Sequence, residues 1–289
     1  MQSHPSGIVY EITQDCPFKC PICLRHHNTN ERRLNIDERE ILVRRLKQFG
    51  IGRITITGGE PTILGDELYN FMKLVHREQI HSCLCTSGLG ITENNLLCMN
   101  EYVDQILLSV RSFNLQEWIK EYGNISLSKL LYQNVLNILK WSQNTQIILV
   151  VNLVVHKNNM NGVIDFGKQL AEINNKLTWR ITEYYGIGLG SVLRTNLEIT
   201  DDEFSHVRET VIHKFKDVFT DLIFISKRQL AHSPEYVISP SGNLITTNNY
   251  SIHTTEYNLI TGPVPQTIQS PRPWSAFVKA CRDWGWKDF

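Results

Sequence analysis

The chain has 289 residues, 42% hydrophobic and 20% charged, with Lys+Arg and Asp+Glu both at 29. That length suffices for one large core or one and a half domains, and the balanced charge leaves no basic excess to grip a nucleic-acid backbone. The longest apolar run, residues 147–155, is broken by Asn152 and too short to span a bilayer, and seven cysteines behind an N-terminus without signal-peptide character imply a reducing, cytoplasmic setting. Neither nucleic acid nor a membrane is an expected partner, and clustered cysteines there mean metal or catalysis rather than disulfides.

Residues 8–13 alternate as a strand, and Cys16, Cys20 and Cys23 follow it with the spacing C-x3-C-x2-C. Residues 35–49 predict a helix: Asn35 and Glu38 fit a capping box, Leu42, Leu46 and Phe49 recur on one face, and Gly50 supplies the stop. A β-branched strand over 54–57 ends in Gly58-Gly59-Glu60-Pro61, and Asp66 opens a helix with Leu68, Phe71, Met72 and Val75 inward. Strands over 81–86, 105–110, 147–155 and 177–182 then alternate with helices over 93–100, 128–141 and 163–173. Six β-α units with near-continuous apolar strands predict an α/β fold, a parallel sheet covered by helices. The cysteine loop, Gly58-Gly59-Glu60, Ser87 and Ser109 all fall at the carboxyl ends of their strands, the face where such folds build active sites.

A glycine-rich break over 184–196 precedes a helix capped by Thr200 and Glu203 that carries Phe204, Val207, Val211 and Phe215. A strand over 222–226 follows, then a hairpin in which 236–238 and 244–246 flank Pro240-Ser241-Gly242. The proline-rich stretch 262–273 is a linker or surface wrap, and a last helix is expected over 274–284.

Three thiolates within eight residues are a metal site or an accident. An iron–sulfur cluster usually takes four cysteines, so three would leave one iron open, as catalytic metal sites leave a position for substrate. The alternative is a Cys3His zinc site completed by His26. Gly58 and Gly59 let backbone approach a ligand closely and Glu60 can accept from an ammonium, although an ordinary strand-to-helix turn has the same composition. Asn152 inside an apolar strand needs partners, from a ligand's ribose or carboxylate or from the core. Arg111 and Lys120 suit a carboxylate ligand or plain solvent. Cys83, Cys85 and Cys98 read as packing residues, and His26 and His27 as solvated loop residues.

C-x3-C-x2-C after a first strand, with Gly-Gly-Glu-Pro after a second, resembles the radical S-adenosylmethionine (radical SAM) superfamily. The resemblance implies a partial (β/α)6 TIM-type barrel over residues 1–184 and one [4Fe-4S] cluster on Cys16, Cys20 and Cys23. S-adenosyl-L-methionine (SAM) would chelate the fourth iron and be cleaved to a 5′-deoxyadenosyl radical that abstracts a substrate hydrogen, with a reductant such as flavodoxin or ferredoxin. Gly58, Gly59, Glu60 and Pro61 would hold the SAM amino group, and Ser87, Ser109 and Asn152 match positions that contact SAM in relatives. Ile22 departs from the aromatic residue usual before the third cysteine. Residues 185–289 loosely resemble the α+β C-terminal extension of SPASM and twitch-type enzymes, here a substrate-covering region. Thr246 and Thr247 stand where a cysteine is expected, so no auxiliary cluster is expected. The implied substrate is a peptide or small natural-product precursor undergoing oxidation, cross-linking or epimerisation, with a sugar or nucleoside as the alternative. Cys281, on the stripe Trp274, Phe277, Val278, Cys281 and Trp284, is either a packed cysteine or the hydrogen-atom donor of an epimerase.

Overall fold

The structure is a computed structural model that describes residues 6–24, 31–232, 235–248 and 251–262. Its strands are β1 (Ser6–Thr13), β2 (Ile51–Gly58), β3 (His81–Thr86), β4 (Gln105–Ser109), β5 (Ile148–Val155), β6 (Thr178–Glu183), β7 (Asp221–Ile225), β8 (Glu235–Ile238), β9 (Asn243–Asn248) and β10 (Ser251–Asn258). The helices are α1 (Ile36–Gln48), α2 (Asp66–Arg77), α3 (Glu93–Tyr102), α4 (Leu115–Tyr122), α5 (Ile125–Trp141), α6 (Val163–Ile173), α7 (Arg194–Leu197), α8 (Asp201–Phe215) and α9 (Lys227–His232). The strands form one sheet in the order β10-β9-β8-β1-β2-β3-β4-β5-β6-β7. Every pairing from β1 through β7 is parallel, and among the described residues only the β8–β9 and β9–β10 pairs are antiparallel. The α/β class and the parallel partial barrel are therefore as expected.

Strand alternation divides each side of the sheet cleanly. Ile8, Tyr10 and Ile12 of β1, Ile54 and Ile56 of β2 and Ile106 and Leu108 of β4 belong to the buried core against the helices. Tyr10, for example, meets Phe71 of α2 edge-on at 5.3 Å. The opposite, inner face carries Arg53 and Thr55 of β2, Cys83 and Cys85 of β3, and Asn152 of β5. Register lines these up, Thr55 opposite Cys83 and Asn152 between Ser109 and Arg180. The caps predicted at Asn35 and Thr200 are both complete capping boxes, and Gly242 takes φ +87° in the predicted hairpin turn.

Three features lie beyond the sequence reading. β7 extends the parallel series by pairing with β6, while β8 pairs parallel with β1 at the other side, so the hairpin strands join the same sheet. α4 fills what had read as a connection, started by Asn114 accepting from the Gln116 N–H and ended by Gly123 at φ +65°. The helix over 128–141 begins earlier, at Ile125, capped by Asn124.

Trp179 of β6 is fully buried among Phe166 of α6, Phe215 of α8 and Phe219, with ring centroids 5.4–5.7 Å away. Trp179→Ala should cost about 3–5 kcal/mol through the cavity it leaves. Urea unfolding checks this, and a loss below about 1 kcal/mol would mean that this aromatic cluster does not anchor β6.

Candidate active site

The cysteine loop leaves the end of β1 and is fixed at both ends by backbone. The Gly59 N–H donates to the Thr13 carbonyl at 2.7 Å and the Glu60 N–H to the Asp15 carbonyl at 2.9 Å. Glycine is required there for a reason different from ligand approach. A Cβ on Gly58, at φ +145°, would lie 2.0 Å from the Thr13 oxygen, and one on Gly59 would lie 2.1 Å from the Asp15 oxygen. The glycine pair lets the β2 turn clamp the loop. At the far end the Gly190 N–H donates to the Cys23 carbonyl at 2.9 Å, and Gly190's own carbonyl accepts from the buried Tyr184 hydroxyl. Between the clamps Phe18 and Ile22 are buried, and the Cys23 N–H closes a turn on the Cys20 carbonyl at 3.1 Å. A cavity of about 510 Å³ opens on the loop, lined by Cys16, Phe18, Cys20 and Pro21 and, opposite, Leu189 and Leu193.

Glu60 is 2% exposed and fully engaged. Its Oε1 accepts from the Thr62 N–H (3.1 Å), the Thr62 hydroxyl (2.7 Å) and the Thr86 hydroxyl (2.6 Å). Its Oε2 accepts from the Ser87 N–H (2.8 Å) and the Ser87 hydroxyl (2.5 Å). Pro61 begins a 3-10 turn, Pro61–Leu64, that carries Thr62 into this network. The carboxylate thus ties the end of β2 to the end of β3. Thr62 and Thr86 were not singled out in the sequence, although a Thr or Ser beside each motif was the available signal. Ser109 is exposed at the end of β4, and Asn152 is half-buried, its Oδ1 accepting from Thr182 at 2.7 Å. Thr182 in turn accepts from Arg180 Nε at 3.2 Å.

Cys83 is buried beside Cys85 on the inner face, as a packing residue would be. The hydrogen bond from Cys85 pulls the Cys83 thiol below its ordinary range against burial, and Arg53 and Arg180 assist. Lys120 is exposed. Arg111 is held inward, its Nη1 on Glu121 Oε1 at 2.5 Å and its Nε donating to the Tyr122 hydroxyl at 2.9 Å. His156, just past β5, packs edge-on to Tyr184 at 6.4 Å. Burial first, then the charge of Arg111, holds its imidazole down to about 4. The His26, His27 and Cys281 readings lie outside the described residues, as do the helix expected over 274–284 and the Cys98 side chain.

The donor set fits an iron–sulfur group with an open iron. Burial pushes the Cys16 thiol up to about 12, and Cys20, Glu60 and Cys23 add to the rise against the Phe18 N–H. Burial also raises Cys20, with Arg111 opposing. Thiols in that state become thiolates only beside a compensating cation, which a metal group supplies. Among the described residues no three of His, Cys, Asp or Glu converge closely enough to hold a single metal ion. Three cysteines that would each take a different iron of one cluster need to surround it, not to meet at a single ion.

Residues 10–170 match the family model described as Radical SAM superfamily. The PqqA peptide cyclase of Bradyrhizobium diazoefficiens is 27% identical over 194 residues, 64% of this chain and 48% of that protein. The S-adenosylmethionine-dependent nucleotide dehydratase RSAD2 of Oncorhynchus mykiss is 26% identical over 181 residues, 61% of this chain and 51% of that protein. The chain thus spans about half the length of these curated relatives. Among solved structures, Streptococcus suis SuiB bound to its precursor peptide SuiA superposes with a TM-score of 0.68 at 14% identity, covering 94% of this chain and 66% of SuiB. The structure of anSMEcpe with bound AdoMet and the Kp18Cys peptide gives 0.68 at 13% identity, covering 96% of this chain and 83% of that one.

Gly59→Ala should force the cysteine loop off the β2 turn at an overpacking cost of about 1–3 kcal/mol and lower iron incorporation on anaerobic reconstitution. Wild-type iron content and stability in that variant would contradict the clamp. The depressed His156 gives a pH signature with a definite sign. Its stabilising contribution is complete above the ordinary value of 6.5 and is lost as pH falls toward about 4, because the unfolded chain takes up that proton first. Replacing His156 with Gln should flatten the stability profile across that window, as followed by urea unfolding at a series of pH values.

Proposed function

The chain belongs to the radical SAM superfamily, and we propose that it modifies a peptide or small natural-product precursor by hydrogen abstraction, with Cys16, Cys20 and Cys23 holding the single [4Fe-4S] cluster. Family membership implies the cluster and SAM; when bound and reduced they supply a 5′-deoxyadenosyl radical at the mouth of the barrel. The chain's own residues do the positioning. The two backbone clamps hold the three thiols on one loop, in which Phe18 and Ile22 are buried. Glu60 has no lone pair spared from its five donors without a rearrangement, so its first task is to hold the Gly58–Pro61 turn and the Ser87 end of β3 together. That organised turn would hold the SAM amino group, and Ser109 and Asn152 would complete the binding edge from β4 and β5.

The observation that carries this reading is the C-x3-C-x2-C loop clamped by the Gly-Gly-Glu turn within a matching family model. The likeness to SuiB and anSMEcpe over 94% and 96% of the chain supports a peptide substrate. A nucleotide is the second reading, favoured by a nucleotide dehydratase of Lacinutrix mariniflava that matches 85% of this chain at 26% identity, with 52% of that protein covered. Flavodoxin or ferredoxin is the proposed reductant.

Anaerobically reconstituted wild type with dithionite and SAM should release 5′-deoxyadenosine. Cys16→Ala, Cys20→Ala and Cys23→Ala should each reduce this at least about 100-fold, beyond the 10–100-fold that loss of a ligand's outer-shell partner costs. Release undiminished in any of the three would remove that cysteine from the ligand set. Stimulation by nucleoside triphosphates and not by precursor-type peptides would favour the second reading.

A further inference from the structure

Arg180 stands in the middle of β6, between Trp179 and Ile181, which are both buried against the helices. Alternation therefore turns Arg180 to the inner face of the sheet. Parallel register sets it beside Asn152 of β5, which is itself beside Ser109 of β4, so the three share one level. Two residues farther along β5, Val154 packs against the cluster of Ile22, Tyr184 and Leu197. Ile22 belongs to the cysteine loop. The level of Arg180 thus lies one inward-facing residue below that cluster, about 7 Å at about 3.3 Å per residue.

The polar groups at this level are hydrogen-bonded in a fixed direction. A guanidinium has only hydrogens to give, so Arg180 Nε donates to the Thr182 hydroxyl at 3.2 Å. The buried Thr182 hydroxyl passes its own hydrogen to Asn152 Oδ1 at 2.7 Å. Asn152's oxygen is thereby committed inside the wall, and its amide nitrogen, with two hydrogens, is turned away from Thr182. Arg180's terminal nitrogens also carry hydrogens alone. This part of the wall therefore offers donors, and the chain that holds it contains no carboxylate. A half-buried cation held by neutral groups is compensated best by an anion, and a planar guanidinium beside an amide suits the paired oxygens of a carboxylate or phosphate.

We propose that Arg180, with Asn152, binds an anionic oxygen group of the substrate, a carboxylate or a phosphate, and that Thr182 is the positioning residue that fixes both donors. This deepens the proposed function and rests on it, because the ligand is the molecule that loses hydrogen. One amide hydrogen of Asn152 suffices for this group, and the second remains for SAM.

The test is calorimetric titration of anaerobically reconstituted, SAM-saturated wild type with two probes, inorganic pyrophosphate for a phosphate-bearing substrate and glutarate for a carboxylate-bearing one. Saturable binding of either at one site sustains the inference, and the probe that binds names the source of the anion. Arg180→Gln should weaken that probe at least about tenfold, as loss of a charge-assisted hydrogen bond does, with iron content and SAM affinity unchanged. Thr182→Val should weaken it in the same direction, and Thr182→Ser should restore it. A wild type that carries iron and cleaves SAM yet binds neither probe overturns the inference and leaves the proposed function standing. Equal probe binding in Arg180→Gln also overturns it. So does a loss of SAM affinity in that variant, because the anion would then be SAM's own carboxylate. A wild type that takes up no iron overturns both. Should Arg180→Gln not fold, Arg180→Lys decides: weakening of at least about threefold sustains the inference, because an ammonium cannot reproduce a two-pronged contact, and undiminished binding overturns it.

Discussion

The arrangement depends on two backbone hydrogen bonds, from Gly59 N–H to the Thr13 carbonyl and from Glu60 N–H to the Asp15 carbonyl. They join the turn after β2 to the loop after β1 across a gap that no side chain beyond glycine can enter. A loop carrying three cysteines has strong reasons to be loose. Its thiols repel one another once ionised, and ordering each residue costs about 1–2 kcal/mol of backbone entropy. The clamps at Gly59, Glu60 and Gly190 restrict that freedom before any metal arrives, so less ordering remains to oppose binding.

Glu60 shows how the same turn does two things. Five donors on one carboxylate, all from the ends of β2 and β3, satisfy a buried charge that would otherwise be prohibitive. Its backbone N–H meanwhile holds Asp15. The sequence suggests a ligand for this side chain; the geometry gives it a structural duty first, and any ligand meets a turn already rigid. Removing that carboxylate would disturb the cysteine loop as well as any cofactor contact.

Much of the fold was legible because its signals are local. The capping boxes at Asn35 and Thr200, the β-branched run ahead of Gly58 and the Pro240-Ser241-Gly242 turn each declare themselves within a few residues. α4 was missed because eight residues carry barely two turns of periodicity, and its cues, Asn114 and Gly123, also suit an ordinary loop. β8's parallel pairing with β1 was illegible because it joins residues more than two hundred positions apart, and no local pattern encodes a partner at that distance. The site divides the same way. Cys16, Cys20, Cys23 and Glu60 were visible as motifs, whereas Tyr122, Gly190 and His156 acquire meaning only when folding brings α4, the segment after β6 and the end of β5 to one rim.

The proposed function requires that Cys16, Cys20 and Cys23 hold a cluster and leave one iron open to SAM. The most direct measurement is the EPR spectrum of the reduced, reconstituted wild type before and after SAM is added. The expected result is a brown, iron- and sulfide-containing protein whose reduced signal changes when SAM binds. A colourless zinc protein, or a cluster signal indifferent to saturating SAM, would contradict it.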